Sequence, residues 1–594
     1  MSRIKYYQER LVRAEQVLRR QNKSSKWLFG VKLISFLLFL YLLYLIATQG
    51  GAFYIIATVV MALFYGFSYW YDWKLQQNKI LLMNLIETLQ HELYYLAGDF
   101  KGFDKGSDFI DPSHAYSYDL DLFGENSFFH RMNRTHTPFG RKTLVHWLIN
   151  LPQTKEAFAE IKKRQESVAE LKVKSDWRVD FQSLRIADSN RMEKLFLLFN
   201  EKEETVGSNL KVVGIISSVT LFAISVVLAY LGKISSTLPV FIFFVQFMFS
   251  TLVSRKVMKM TKEVGLAHKE LGDYLTMVKH IQSIKTTSRL NRSLWNKLLK
   301  GENNMLRAFK SLSRLSDNID QRGNILMLVL LNGTIYSDVI LLSQFKKWKR
   351  RYASHLEEWM QTIGEIDALC TMATYAFNTP QANFATLVDG DAFVYEAKGI
   401  FHPFLKEGEC VANDFSMEKA DFHIITGANM AGKSTFLRTL GINYVMAMTG
   451  FPVCSTSYKV SRFNLFTSMR TADDLSANIS YFNAELRRLK ALLQSCQKHP
   501  YTFVILDEIL KGTNSRDKLT GSRLFLRKLA EMNVSGVVAT HDLLLSEMAV
   551  QENERFKNYC FEIEIGENIK YDYKIKPGVA VNMNATYLLK QLLK

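Results

Sequence analysis

Phe422-His423-Ile424-Ile425-Thr426-Gly427-Ala428-Asn429-Met430-Ala431-Gly432-Lys433-Ser434-Thr435 is the stretch that decides the fold of the C-terminal part of this chain. Its first five residues form a short apolar run of strand type, and the rest satisfies G-x-x-x-x-G-K-[ST]. Gly427 and Gly432 let the backbone wrap a phosphate group with its own N–H donors. Lys433 is spaced to reach the β- and γ-phosphates, and the Ser434 hydroxyl to complete a Mg²⁺ shell. Phe436 to Gly441 can continue as a helix whose N-terminal dipole faces the phosphates. ATP and Mg²⁺ are the cofactors this pattern asks for.

Working outward, Tyr501-Thr502-Phe503-Val504-Ile505-Leu506-Asp507-Glu508 is an apolar run ending in two carboxylates, about seventy residues after the loop. A buried parallel strand delivers acids to the carboxyl edge of a sheet in this way. There Asp507 would hold Mg²⁺ through water, and Glu508 would orient or deprotonate the attacking water. A third run, Val537-Val538-Ala539-Thr540, ends at His541-Asp542 and places an imidazole where it could sense the γ-phosphate. A lone histidine is as readily structural as functional, and the spacing leaves both roles for His541 open.

Taken together, these residues resemble the DNA mismatch-repair MutS family. The Asn429-Met430 pair inside the phosphate loop is similar to that family's loop, and Ser468 to Glu485 (SMRTADDLSANISYFNAE) to its signature segment. Asp507-Glu508-Ile509-Leu510-Lys511-Gly512-Thr513-Asn514-Ser515 looks like its Walker B and D-loop, and Ala539-Thr540-His541 like its switch histidine. Weaker likeness extends to Asn133–Lys142 and Trp147-Leu148 (core domain), Phe401-His402-Pro403 and Ala412–Ser416 (approach to the ATPase), and Tyr573–Val579 (a strand near its end).

The resemblance implies an α/β P-loop NTPase domain of ABC/MutS type, preceded by a mainly helical core, with residues 256–379 as lever helices. It implies nucleotide contacts from Gly427, Asn429, Met430, Gly432, Lys433, Ser434 and Thr435. The metal would be held by Ser434 and Asp507, and catalysis would fall to Glu508, His541 and Lys433. It also implies a homodimer in which Ser480 of one chain completes the site of the other. Three departures stand out. The signature's usual Gly-Arg is Asn478-Ile479, and the chain stops at Lys594 with little room for the family's C-terminal dimerisation element. No Phe-x-Glu mismatch-recognition domain precedes the core. Phe123-Gly124-Glu125 and Phe158-Ala159-Glu160 fit that tripeptide but fall in the core-like region.

The front of the chain is of another kind. Leu33 to Thr48 is uncharged, and after Gln49-Gly50-Gly51 a second uncharged run continues from Ala52 to Tyr71. Each is close to the 20 or so residues needed to cross a bilayer. A second pair lies at Val212–Leu231 and Leu238–Ser254, so four transmembrane helices in two hairpins are predicted. Buried helices of a large soluble protein are the alternative, but these are usually shorter and polar on one face. Arg3, Lys5, Arg10, Arg13, Arg19, Arg20, Lys23 and Lys26 precede the first span, and Arg255, Lys256 and Lys259 follow the fourth. By the positive-inside rule both hairpins begin and end in the cytoplasm, giving a multi-pass protein of the cytoplasmic membrane. The basic N-terminal segment then reads as a juxtamembrane helix held to anionic lipid.

Composition agrees with this outline. Hydrophobic residues make up 48% and aromatics 13%, with nine prolines, which excludes a disordered chain. The net charge of +18 asks for an anionic partner, nucleic acid or the inner membrane face. The five cysteines show no zinc spacing and read as reduced cytosolic thiols. The expected division is 1–26 basic helix, 27–72 hairpin, 73–211 helical core, 212–254 hairpin, 255–388 lever region and 389–594 ATPase domain. Two functions compete: a membrane-anchored ATPase that binds DNA, and an ABC-type machine that drives membrane transport or remodelling without DNA. Four spans without an intramembrane acid or base make a poor substrate path, which favours DNA.

Overall fold

Two helices of more than forty residues lead the chain in the computed structural model, α1 (Arg3–Gln49) and α2 (Ala52–Ala97). They form an antiparallel hairpin closed by Gly50 and Gly51, whose φ angles of 64° and 108° favour glycine. The structure describes residues 2–581 apart from 187–194, 197–198, 200–208, 253, 321, 323, 391, 406–407, 409, 418–420, 471–480, 500, 533, 552–554 and 566–568. Across the hairpin Lys32 pairs with Asp72 at 2.6 Å. Beyond that pair both helices carry exposed apolar side chains, among them Leu37, Tyr44, Phe53, Ile56 and Leu63.

The helical body continues with α3 (Phe128–Met132), α4 (Pro138–Ile149), α5 (Lys155–Val173) and α6 (Ser175–Ser183). It resumes with α7 (Asn209–Tyr230), α8 (Thr237–Thr251), α9 (Ser254–Gln282), α10 (Arg289–Leu299), α11 (Met305–Asp320), α12 (Ile325–Ile335) and α13 (Ser337–Asn378). The basic N-terminal segment is not a separate helix but the first half of α1, and its base is docked on protein. Tyr7 is fully buried and donates to Asn378 Oδ1 at 3.0 Å, while Arg10 pairs with Asp176 at 3.1 Å and also with Asp180. At this end Arg10 is neutralised by two carboxylates of α6.

A buried polar node joins the hairpin to the end of α13. Glu92 of α2 pairs with Arg134, and Asn378 donates its amide to Glu92 Oε2 at 2.7 Å. Both charges are nearly inaccessible, so each depends on the other to offset the cost of leaving water.

Among the described residues three helices are long and apolar enough to cross a membrane: α1, α2 and Val213–Tyr230 of α7. The fourth expected span differs. α8 has only 15 residues, and the chain bends by 63° before continuing from Lys256 to Gln282. A further bent pair, α12 and α13 at 83°, was not expected, because eleven apolar residues followed by Tyr336 and Asp338 are too short a run to stand out as a span.

α13 is 42 residues long, about 63 Å at 1.5 Å per residue, and packs along α4, α5 and α11 before reaching the last domain. That domain begins at β1 (Thr386–Val388), slightly ahead of the boundary expected at residue 389. β1 joins β2 (Tyr395–Ile400), β3 (Asn413–Met417) and β5 (Ser457–Ser461) in a mixed sheet of order β1-β5-β2-β3. The larger sheet contains β4 (Phe422–Gly427), β6 (Asn464–Ser468), β7 (Thr502–Asp507), β8 (Ser535–Thr540), β9 (Phe556–Ile565) and β10 (Ile569–Pro577). Its order is β10-β9-β4-β8-β7-β6, parallel except for β10. All six residues of β4 and of β8 are buried, as expected for central strands covered on both faces. The covering helices are α14 (Lys433–Thr449), α15 (Tyr481–Lys498) and α16 (Ser515–Glu531).

Candidate nucleotide site

Strand order places the chemistry. β4 and β7 flank β8, with Thr426 level with Thr540 and Asp507 level with Ala539, so the phosphate loop, the paired acids and His541 all emerge at one edge. Ligands of open α/β sheets bind outside the carboxyl ends of the strands. A cavity of about 650 Å³ opens here, lined by Asn429, Met430, Gly432, Lys433, Ser434, Thr435, Asp507 and Glu508. Its apolar wall is supplied by Ile400, Phe401, Leu405, Val411, Phe561 and Tyr573.

The loop is built as its composition demands. Gly427 (φ 151°) lies so close to strand β9 that a Cβ would come within 2.7 Å of the Phe561 carbonyl oxygen. Gly432 (φ 104°) precedes the first turn of α14, and Met430 adopts the left-handed region at φ 68°. Lys433 is buried and donates to the carbonyls of Gly427 (2.7 Å) and Ala428 (2.9 Å), which hold the ammonium at the loop. Burial lowers its pKa, against the opposing pull of Glu508 and Asp507.

Glu508 is held from three sides. Its N–H donates to Ala539 O at 2.9 Å, His541 Nδ1 lies 2.5 Å from Oε1, and Lys518 Nζ lies 3.4 Å from Oε2. Burial acts to raise the carboxyl, but the His541 hydrogen bond and the charges of His541, Lys518 and Lys511 outweigh it, leaving the pKa below the ordinary value. The group is therefore ionised at neutral pH, as a base facing a water must be. Glu508 and Leu510 have left-handed backbones (φ 58° and 57°), a form that costs about 1–3 kcal/mol and is retained where surroundings enforce it.

The sequence-derived residues divide in a simple way. Asn429, Met430, Gly432, Lys433, Ser434, Thr435, Asp507 and Glu508 converge on the cavity. Gly427 acts from the strand end, through its carbonyl to Lys433, and His541 stands behind Glu508. Ser480 lies outside the described residues. Mg²⁺ fits at Ser434 and Asp507, whose hydroxyl and carboxylate are hard oxygen donors lining one cavity.

Several supports escaped the sequence reading. Glu485 is buried and accepts from the backbone N–H groups of Lys511 (3.1 Å) and Gly512 (3.5 Å), fixing the loop after the acids. Asp119, from the helical body, accepts from Thr467 Oγ1 (2.7 Å), Met469 N (3.2 Å) and Arg470 N (2.9 Å) at the end of β6. Asp121 pairs with both Arg438 of α14 (3.2 Å) and Arg470 (2.5 Å). Asp119 and Asp121 lie some three hundred residues from their partners, and only the fold brings them together.

A phosphate loop closing on a helix N-terminus, a neighbouring strand that ends in Asp-Glu, and a histidine against the second acid define a P-loop ATPase domain. Residues 423–588 match the family model of MutS domain V, and this part of the chain is a MutS-family ATPase domain. Three proteins named DNA mismatch repair protein MutS are similar over a longer stretch. That of Persephonella marina is 28% identical over 352 residues, 56% of this chain and 37% of the relative. Those of Aquifex pyrophilus and Acetivibrio thermocellus are 30% and 31% identical over 224 and 238 residues, covering 37% and 39% of this chain. The chain thus spans between about a quarter and two fifths of the curated relatives it matches.

Proposed function

We propose that the protein is a membrane-anchored MutS-like ATPase that hydrolyses Mg²⁺-ATP and uses the cycle to act on DNA. The observation that carries the ATPase reading is the convergence of Lys433, Ser434, Asp507 and Glu508 on one cavity, with His541 behind the general base. In the proposed cycle the loop N–H groups and Lys433 bind the phosphates and Ser434 and Asp507 hold the metal. Glu508 takes a proton from the attacking water, while His541 keeps it oriented and ionised. The apolar wall of Phe401, Val411 and Tyr573 suits the base of the nucleotide.

DNA is supported by the similarity to proteins named DNA mismatch repair protein MutS, and the net charge of +18 suits nucleic acid as well as an anionic membrane face. Anchoring of a multi-pass chain in the cytoplasmic membrane is supported by the exposed apolar hairpin and by α7. Action as a homodimer, with Ser480 completing the partner's site, follows from the family resemblance. A second reading, an ABC-type machine working on the membrane itself, is favoured by one observation: α13, which reaches the ATPase domain, begins at the apolar helix α12.

Nanodisc-embedded protein assayed for Mg²⁺-ATP hydrolysis, alone and with linear, mismatched and four-way-junction DNA at two salt concentrations, tests the proposal. Stimulation or salt-dependent binding upholds the DNA reading. Hydrolysis indifferent to every DNA transfers the activity to the membrane, and no Glu508-dependent hydrolysis at all overturns both.

A further inference from the structure

The unexpected apolar helix α12 carries an inference that rests on the membrane reading above. Its sequence, Ile325-Leu326-Met327-Leu328-Val329-Leu330-Leu331-Asn332-Gly333-Thr334-Ile335, holds no charge. Eleven residues span about 16 Å, roughly half the ~30 Å hydrocarbon layer, so α12 alone cannot cross. At Tyr336, in left-handed backbone (φ 54°), the chain turns by 83° into α13.

α12 is bound to the second hairpin through buried polar contacts. Ser250 Oγ of α8 donates to Asn332 Oδ1 at 2.7 Å, and the same oxygen accepts from Asp338 N at 2.9 Å. Ser218 Oγ of α7 lies 3.2 Å from the Tyr336 hydroxyl, and Gln246 of α8 donates to Ser218 O at 2.8 Å. Gly333 lies against the Phe243 ring so closely that a Cβ there would collide with it. Arg322 closes the base with two contacts to Asp338, at 2.7 and 2.8 Å. Inter-helix hydrogen bonds with small residues at the contact are how helices associate in lipid, where apolar surface gives no drive to pack.

Its N-terminal part, one to two turns before Asn332 and Gly333, has no cover. Ile325 and Leu326 are each 75% exposed and Leu330 53%, and the helices on which α12 packs carry exposed apolar side chains of their own, Val240, Phe241 and Phe244 on α8 and Val213 and Ile216 on α7. α12 thus packs on α7, a candidate span, and its charge-free surface suits the same hydrocarbon medium.

We propose that α12 is a third membrane-embedded element, dipping into the bilayer without crossing it, with lipid acyl chains as the occupant of its exposed apolar surface. The helix α13 is then rooted in lipid at Ser337 and joined to the hairpin and ATPase domain at Asn378. ATP-driven movement of this lever would therefore act against the bilayer.

The test uses full-length protein in nanodiscs with Cys410→Ser, which removes the one cysteine that is not buried. Nitroxide labels are placed singly at Leu326→Cys and Leu330→Cys, with Leu221→Cys on α7 and Arg350→Cys on α13 as references, and ATP hydrolysis checks folding. All four positions are exposed, so the substitutions disturb no packing. The expected result is oxygen collision exceeding that of a water-soluble nickel chelate at 326 and 330, as at 221, and the reverse at 350. An aqueous pattern at 326 and 330 with a lipid pattern at 221 overturns the inference alone. An aqueous pattern at 221 as well overturns the membrane reading on which it rests. Labels at 326 and 330 that neither reagent reaches would seat a second chain there instead and also overturn it.

Discussion

Asp367 on α13 is fully buried, and its Oδ2 accepts from His136 N (2.9 Å), Thr137 N (2.8 Å) and Thr137 Oγ1 (2.8 Å) at the start of α4. These donors favour the ionised form, but burial outweighs them and pushes the carboxyl from 3.8 up to about 7. A raised folded-state pKa stabilises the fold fully below the unfolded value, and that contribution is lost as pH rises towards 7. At about 1.4 kcal/mol per pH unit, flattening as the carboxyl becomes half ionised near pH 7, the loss between pH 5 and 7 is roughly 2 kcal/mol. Asp367→Asn keeps an acceptor for the same three donors and cannot ionise, so it should become more stable relative to wild type across that window. Urea unfolding of both proteins in nanodiscs, followed by tryptophan fluorescence at pH 5, 6, 7 and 8, reads the difference. Groups that titrate identically in both, such as the buried histidines, cancel. A wild-type-minus-variant difference that stays flat with pH would refute the reasoning, because Asp367 would then be charged, or protonated, throughout.

Other expectations follow from the same structure. Glu508→Gln should abolish hydrolysis while Mg²⁺-ATP binding, read by nucleotide fluorescence, persists; Lys433→Ala should lose the binding as well. His541→Ala removes the hydrogen bond and charge that hold Glu508 low, so the acid limb of the hydrolysis-against-pH profile should move to higher pH. An unmoved limb would mean His541 does not tune the base. His423 is buried with neither ring nitrogen partnered, and burial lowers its pKa to about 3. Its contribution to stability is present above about 6.5 and lost as pH falls below it, so His423→Phe should resist acid unfolding better than wild type. Gly364 of α13 faces α4 so closely that a Cβ would lie 2.6 Å from the Phe139 carbonyl carbon, and Gly364→Ala should cost about 1–3 kcal/mol in the same unfolding assay.

Chemistry carried by local runs was legible in the chain. The phosphate loop, the strand ending in Asp507-Glu508 and the strand ending in Thr540 each declare themselves, because backbone wrapping of phosphate and delivery of acids at a sheet edge need fixed residue types at short spacing. The hairpin of α1 and α2 is equally local, since a span is a matter of length and apolar composition. What only the tertiary structure decided is everything made by residues distant in sequence. Asp119 and Asp121 reach the end of β6 from the helical body, and Tyr7 docks an expected lipid-bound segment on Asn378. α12 shows the reason most plainly. Its eleven apolar residues are too few to stand out in the sequence, and only Ser250, Asn332 and Tyr336 lay them against helices more than seventy residues earlier in the chain.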